Sequence, residues 1–193
     1  MIIKECIQFA AQSLGLEAIA LALAQDDSAA AIENLSDAER GDLNTLFESS
    51  KAVVHEVAAE YIPLVTRGEF EAEKNKLLFS SFCHDVVEVK HVTTTQGVRV
   101  NFRNFHNRIE TDRNGTLTVE YSFVPKIEDM GTVLLWKNDR VSVRNLGYGI
   151  AAEFYVRNGA VDDAVLWDRR FKGSIRRSMR ESREMRVRRR RWL

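Results

Sequence analysis

The feature that most constrains the fold of this chain is a long run of apolar residues that recur every three or four positions. Ser36 and Glu39 precede this run with the spacing of a capping box, and Pro63 follows it. The pattern predicts an amphipathic helix of about 25 residues. Its buried face would consist of Leu43, Leu46, Phe47, Ser50, Val53, Val54, Val57, Ala58 and Tyr61.

The rest of the N-terminal region is also predicted to be helical, so that helices cover residues 2–61. Apolar residues share one helical face before Gly15, which interrupts the pattern, and residues 17–25 form a second short helix. The sequence DDSAAAIEN, residues 26–34, is predicted to be a connector. The first of these faces consists of Ile3, Ile7, Ala10, Ala11 and Leu14.

The apolar period changes to two over residues 76–143, which predicts a small antiparallel sheet with one buried face. Asn114-Gly115 is typical of a tight hairpin turn, and Gln96-Gly97 marks another turn. Residues 86–92 and 132–136 are further strand candidates. The alternating apolar residues are Val98, Val100 and Phe102 in one segment, and Leu117, Val119, Tyr121 and Phe123 in another.

The pattern becomes helical again over residues 146–175, where two helices form a predicted hairpin. Asn158-Gly159 ends the first helix, and Asp162-Asp163 places acidic groups at the start of the second. Ala164, Trp167, Phe171 and Ile175 share one face of this second helix. The predicted class is therefore α+β, with N-terminal helices, a central small antiparallel sheet and a C-terminal helical hairpin with an extended basic tail. We predict a single body over residues 1–175 and a basic C-terminal arm over residues 176–193.

The formal net charge of zero conceals a strong asymmetry. Residues 169–193 contain twelve basic and two acidic residues, which gives this segment a charge of +10 and leaves −10 for the rest of the chain. Such a molecule can attract its own copies head to tail, or bind another acidic partner through its basic end. The basic end cannot form a core of its own, so we expect it to be disordered or to be ordered by a partner.

The chemistry of the basic arm indicates what it could bind. Arginine forms bidentate bonds with carboxylates and phosphates, and tryptophan is a favoured anchor at protein interfaces and can also stack on a base. The alternative is that the basic arm binds nothing and is a fully solvated tail. The candidate docking residues are Arg180, Arg183, Arg186, Arg188, Arg189, Arg190, Arg191 and Trp192.

No catalytic or cofactor motif emerges from the sequence, and we predict that the protein is not an enzyme. Cys83 and His84 are adjacent, and neighbouring residues of a strand point to opposite faces. His91 and His106 could meet across strands and bind a metal ion with Asp85 or Glu110, but loop or surface positions are the preferred interpretation. Gly147 and Gly149 lack the remaining residues of a phosphate loop, so close helix packing explains them better. We expect no metal and no cofactor.

The N-terminal apolar segment is interrupted by charged and polar residues, and it contains no run long enough to span a membrane. It also lacks the basic lead of a signal peptide. The two cysteines, Cys6 and Cys83, are far apart and predict no disulfide framework. We therefore expect a soluble, intracellular product without a membrane partner.

The sequence GYGIAAEFYVRNGAVDDAVLWDRRFKGSIRRSMRE and the final RRRRWL resemble the C-terminal part of head–tail connector (adaptor) proteins of tailed bacteriophages. The matching positions are Ala151-Ala152-Glu153, Asn158-Gly159, Ala164, Trp167 and Phe171, followed by Arg188 to Trp192. The resemblance covers about residues 146–193. The helix VVHEVAAEYIPL and the β segment after it suit the general plan of such adaptors.

The resemblance implies a structural virion protein that forms a ring, commonly of twelve copies, between the capsid portal and the tail. The ring would line the exit channel for double-stranded DNA, and a tail or stopper protein would be a further partner. The C-terminal arm would dock on the portal protein or on a neighbouring subunit. The implied location is the neck of the virion, assembled in the cytoplasm of the bacterial host.

A nucleic-acid-binding protein is the alternative hypothesis. In that case the basic tail, and Arg99, Arg103 and Arg108 of the sheet, would contact phosphates. The acidic body argues against a wide nucleic-acid footprint. An enzyme with a site at Cys83 or at the histidines is the third and least favoured hypothesis.

Overall fold

A computed structural model describes residues 1–25, 27–136 and 140–181 of the chain. The α+β class predicted from the sequence is confirmed. The chain forms two compact units, one from Met1–Ser50 and the described residues from Trp136 onward, and one from Lys51–Leu135. The prediction of a single body over residues 1–175 stays a prediction.

The first unit contains five helices and the beginning of a sixth. They are α1 (Ile3–Leu14), α2 (Glu17–Ala24), α3 (Ser28–Glu33), the start of α4 (Asp37–Glu56), α5 (Val143–Arg157) and α6 (Val161–Glu181). Helix α6 packs on α5, α5 on α1, α1 on α2, and α2 on α3. The predicted hairpin of α5 and α6 is therefore present, with Gly159 in the left-handed region at φ 75°.

Two predictions for this unit need correction. Residues 26–34 are not only a connector, because α3 forms within them and the Asp27 carboxylate accepts a hydrogen bond from the Ala30 amide at 3.2 Å. Helix α6 also continues to Glu181, past the predicted end of the hairpin at residue 175. Arginine, methionine and serine are compatible with a helix, so α6 extends beyond the last residue of its buried apolar face.

The long predicted helix is confirmed, as is its capping box. Helix α4 runs to Glu56 and continues as a π-helical turn over Val57–Tyr61, which Ile62 separates from Pro63. The Ser36 amide and hydroxyl both donate to the Glu39 carboxylate, at 2.8 and 2.7 Å, and the Glu39 amide donates to the Ser36 hydroxyl at 3.3 Å. The hydrogen bonds from the Ser36 side chain and backbone lower the pKa of Glu39.

The second unit is built from two three-stranded antiparallel sheets. One sheet has the order β1 (Leu64–Ala72), β6 (Gly115–Val124), β3 (Asp85–Thr94), and the other has the order β2 (Lys76–Leu78), β5 (Arg108–Thr111), β4 (Phe102–Asn104). Aromatic rings contribute to its apolar packing, since Phe70 stacks on Phe82 with 4.0 Å between ring centroids and the Tyr121 ring lies edge-on to Phe82 at 4.8 Å.

The predicted hairpin at Asn114-Gly115 is wrong, because β5 and β6 belong to different sheets. The tight turn lies instead at Lys74-Asn75, where both residues have positive φ and the flanking Glu73 and Lys76 exchange backbone hydrogen bonds. The Asn114 side chain accepts a hydrogen bond from the Asn75 amide, so it supports that turn.

Four further strand predictions have different outcomes. The strands predicted at residues 86–92 and 117–123 are confirmed as parts of β3 and β6. Residues 132–136 form no strand, although burial alternates there, with Leu134 and Trp136 buried and Val133 and Leu135 exposed. The turn predicted at Gln96-Gly97 is confirmed, since Thr94 and Val98 close it. After this turn Arg99 forms an isolated bridge with Thr93, and the strand predicted from residue 98 begins only at Phe102. Strand β1 lies outside the predicted β region.

A candidate basic interface on the helical hairpin

Helix α6 places its basic residues on the side away from its core contacts. Ala164, Phe171 and Ile175 are buried, whereas Arg169, Arg170, Arg176 and Arg177 are exposed. This separation follows from the 3.6-residue helical period, since the buried residues recur at intervals of seven and four. The buried stripe therefore fixes which way the guanidinium groups face.

A groove lies between this side of α6 and the start of α5, with a volume of about 480 Å³. Four guanidinium groups line it, three from α6 and one from α5. The remaining lining residues are small or polar, apart from one tyrosine. The lining residues are Arg144, Asn145, Tyr148, Arg169, Arg170, Gly173, Ser174, Arg177 and Ser178.

Aromatic rings position two of these arginines. The Arg144 Nε donates to the Tyr148 hydroxyl at 2.6 Å, and its guanidinium carbon lies 5.6 Å from the centre of the Tyr148 ring. The Arg170 guanidinium lies 4.8 Å from the Trp167 ring. Because Tyr148 and Trp167 are themselves neighbours at 5.8 Å, the two cation–π contacts form one assembly across the two helices.

A buried amide connects the two helices at the other end of the groove. The Asn145 Nδ2 donates to the Ser178 hydroxyl at 2.9 Å, and the Asn145 backbone amide donates to the Ser142 hydroxyl at 3.2 Å. Only 8% of the Asn145 surface is exposed, so its polar groups depend on these partners. The hydrogen bond to Ser178 fixes α6 against α5 beside the arginines.

The charge of the groove is not neutralised within the described part of the chain. Arg144, Arg169, Arg170 and Arg177 form no ion pair with a described carboxylate. Elsewhere on the hairpin, Lys172 pairs with Asp168 at 2.9 Å and Arg157 pairs with Glu153 at 3.1 Å. Arginines held by aromatic rings rather than by acids keep their forked donors available for an external carboxylate or phosphate.

The docking residues predicted from the sequence come at the end of α6 or after it in the sequence. Arg180 belongs to the last turn of α6, and its side chain lies outside the described part of the structure. The remaining predicted residues, Arg183, Arg186, Arg188, Arg189, Arg190, Arg191 and Trp192, lie outside the described residues. Sequence reasoning missed Arg144 and Tyr148, whose spacing of four residues places them on one helical face.

The second unit brings the predicted histidines to separate places. His91 lies on β3, opposite Glu120 of β6, whereas His106 lies in the loop between β4 and β5 of the other sheet. Within residues 1–25, 27–136 and 140–181, no group of three or more histidine, cysteine or acidic side chains could hold a metal ion.

The remaining residues considered for a site, and the second cysteine, lie in a loop and in two helices. Cys83 and His84 precede β3 rather than lying on a strand, and the His84 ring stacks on Phe123 at 4.2 Å. Cys6 is buried in α1, and burial raises its pKa to about 12. Gly147 and Gly149 lie inside α5, where a Cβ atom on Gly147 would come within 2.3 Å of the Phe9 ring. Helix packing, not phosphate binding, requires Gly147.

Comparison with protein-family models finds no match, and comparison with curated proteins finds none either. None of the described helices is long and apolar enough to cross a membrane. The function must therefore be inferred from the chemistry of the basic groove and from the sequence beyond it.

Proposed function

We propose that this chain is a structural virion protein of the head–tail connector class. It forms a ring that joins the capsid portal to the tail and surrounds the exiting DNA. The basic surface of α6, with the arginines and Trp192 that follow it, docks on the portal protein or on a neighbouring copy. This proposal includes no catalytic step, metal ion or cofactor.

The observation that carries the proposal is a set of guanidinium groups that form no ion pair with a described carboxylate, on a helical hairpin that precedes the arginine-rich end of the sequence. A hairpin fixed by the hydrogen bond between Asn145 and Ser178 is a suitable base for a docking arm, because little order needs to be created on binding. The acidic remainder of the chain opposes wide contact with DNA. Carboxylates of a protein partner are therefore the preferred target.

The decisive experiment mixes the purified protein with the portal protein encoded in the same genome and counts docked particles by electron microscopy. The full chain should decorate the portal as a ring. Deletion of residues 186–193 should abolish docking and leave the circular dichroism spectrum of the body unchanged. A matched variant should replace residues 188–191 with glutamine and keep Trp192, which separates the charge from the tryptophan. Normal docking of the deletion variant would refute the role of the arm.

The nucleic-acid alternative makes a different prediction. If the arm, Arg99, Arg103 and Arg108 bound phosphates, DNA affinity would fall steeply with salt, with a log–log slope of about 0.9 per neutralised phosphate. Arg108 already pairs with Glu110 at 3.1 Å, which reduces its availability. Absence of DNA and RNA binding in a low-salt filter assay would eliminate this alternative.

A further inference from the structure

Two surfaces of the first unit have complementary character. The surface that we call the basic strip is the exposed side of α6, and the surface that we call the acidic patch lies on α2, α3 and the start of α4. Both contain exposed apolar residues among charges of one sign. The basic strip consists of Leu166, Arg169, Arg170, Gly173 and Arg177. The acidic patch consists of Glu17, Leu21, Ala29, Ala30, Glu33 and Asp37, all exposed.

The charge of the acidic patch is intrinsic to its part of the sequence. Residues 17–42 contain seven acidic residues and one basic residue, Arg40. The Arg40 guanidinium is already engaged, because it donates to the carbonyl oxygens of Glu33 and Leu35 at 2.9 and 3.0 Å. Glu17 and Glu33 form no ion pair with a described basic residue. Their carboxylates are therefore available to an external cation.

The apolar residues of the acidic patch lack a cover within the described chain. Helix α3 has the sequence SAAAIE, and none of its six residues is buried. Leu21 of the adjacent α2 has 66% of its surface exposed. On the other surface, Leu166 is 58% exposed. Apolar side chains that are exposed together and bordered by charge are typical of a protein interface.

Gly173 gives the basic strip room for close approach. It lies in the interior of α6, where glycine costs up to about 1 kcal/mol relative to alanine. A Cβ atom built on Gly173 would have no neighbour within 4 Å, so no contact inside the described chain explains the glycine. A partner that packs against α6 would explain it, because the missing side chain lets another backbone come near.

The order of helix contacts separates the two surfaces. The contacts run from α6 through α5, α1 and α2 to α3, so the basic strip and part of the acidic patch belong to the two ends of this series. A copy could thus present its basic strip to one neighbour and its acidic patch to another. Such head-to-tail interfaces produce a ring when the rotation closes.

We infer that the basic strip of one copy docks on the acidic patch of a second copy of this chain. The inference rests on the proposed function, since it names the contact between subunits of the ring. Arg169 and Arg177 would pair with Glu17 and Glu33 of the neighbour. Leu166 would pack with Leu21 and the alanines of α3, and Gly173 would lie where the helices are closest.

Charge-swap variants test this interface in solution. The first variant, Arg169→Glu with Arg177→Glu, removes the basic strip without changing Arg170, which contacts Trp167. The second, Glu17→Lys with Glu33→Lys, removes the acidic patch. A third variant combines all four changes and therefore keeps the net charge of the natural chain. Arg113→Glu with Lys126→Glu, at exposed positions of the second unit, is the control with the same charge change as the first variant.

Sedimentation velocity at concentrations up to about 1 mM, where even millimolar affinity populates a complex, measures the outcome. The natural chain and the control should self-associate, and raised salt should weaken both. The first and second variants should each lose roughly a hundredfold in affinity, since like charges then face each other. A mixture of the two should associate again, because each of its interfaces then pairs opposite charges, and the combined variant should do the same.

Several results would overturn the inference. One is a natural chain that stays monomeric at about 1 mM, and another is a first variant that associates normally. Failure of the combined variant to associate would show that the two surfaces are not partners. If the first variant lost binding to a short DNA duplex but kept its self-association, the occupant of the strip would be nucleic acid. The two hypotheses can fail separately. A natural chain that docks on the portal but does not self-associate would contradict this inference alone, and one that self-associates but does not dock would contradict the portal docking of the proposed function.

Gly173 provides a second, independent test. Gly173→Leu should fold normally, because the position is open and leucine favours a helix. It should still weaken self-association by at least about tenfold, since the side chain would occupy the space of the neighbour's helix. Unchanged association of a folded Gly173→Leu protein would contradict the proposed packing.

Discussion

Two glycines inside the helices of the hairpin allow one chemical change to be compared at a packed and at an open position. In Gly147→Ala, the new Cβ atom would meet the Phe9 ring, with 2.3 Å to Cδ1 and 3.2 Å to Cγ. In Gly173→Ala, the new Cβ atom would meet no described atom within 4 Å. Both changes replace a helix-interior glycine by the residue with the highest helix propensity.

The expected free energies follow from this geometry. The gain in helix propensity is up to about 1 kcal/mol at either position, so it cancels when the two variants are compared. The overlap with Phe9 remains, and overpacking of this kind costs about 1–3 kcal/mol. Gly173→Ala should therefore be more stable than the natural chain. Gly147→Ala should be less stable than Gly173→Ala by about 1–3 kcal/mol.

Thermal unfolding followed by circular dichroism at 222 nm measures this difference. A change of 1 kcal/mol shifts Tm by about 2–4 °C in a chain of this size, so the two variants should differ by at least about 2 °C. Gly147→Ala should destabilise a Phe9→Ala background less than it destabilises the natural chain, because the atoms in conflict are already absent. Equal Tm values for the two glycine variants would refute the close packing of α1 against α5.

Three other outcomes follow from the buried groups. In the native protein Cys83 should react with a thiol reagent at pH 8 and Cys6 only after unfolding, because burial raises the Cys6 pKa to about 12. The stability due to that raised pKa is present below 9, the value in the unfolded chain, and is lost as pH rises toward 12. The free energy of unfolding of the natural chain, relative to that of Cys6→Ala, should therefore decrease across this range in denaturant titrations. Asn145→Ala should cost about 1–3 kcal/mol in the same titrations, and Ser178→Ala a similar amount, because it leaves the buried Asn145 amide without its hydrogen-bond partner.

The helical part of the fold could be predicted because its signals are local. The apolar stripe from Leu43 to Tyr61 and the capping box at Ser36 each involve residues within a few turns of one helix. Helix α3 was missed because its six residues have no buried face from which a period could be read. Its start depends on one hydrogen bond that the Asp27 side chain accepts from the Ala30 amide.

The sheet was predicted less well because strand pairing is not local. Asn114-Gly115 has the composition of a hairpin turn, but its neighbours pair with distant strands, and Ala72 lies opposite Gly115. The true turn at Lys74-Asn75 has weaker composition and is supported by Asn114 from 39 positions away. The period of two over residues 132–136 predicted the alternation of buried and exposed side chains correctly. A strand also needs a partner strand with which to form hydrogen bonds, and the alternation does not supply one.

The candidate site combines both situations. Charge counting located the basic end of the chain, since an excess of ten positive charges over residues 169–193 is visible without a structure. It could not assign Arg144 and Tyr148 to the same surface, because only the packing of α5 on α6 brings them beside Arg170 and Trp167. The aromatic assembly holds two arginines without neutralising them. A surface organised by acids of its own helix would present little net charge to a partner, whereas this one retains the full charge of its guanidinium groups.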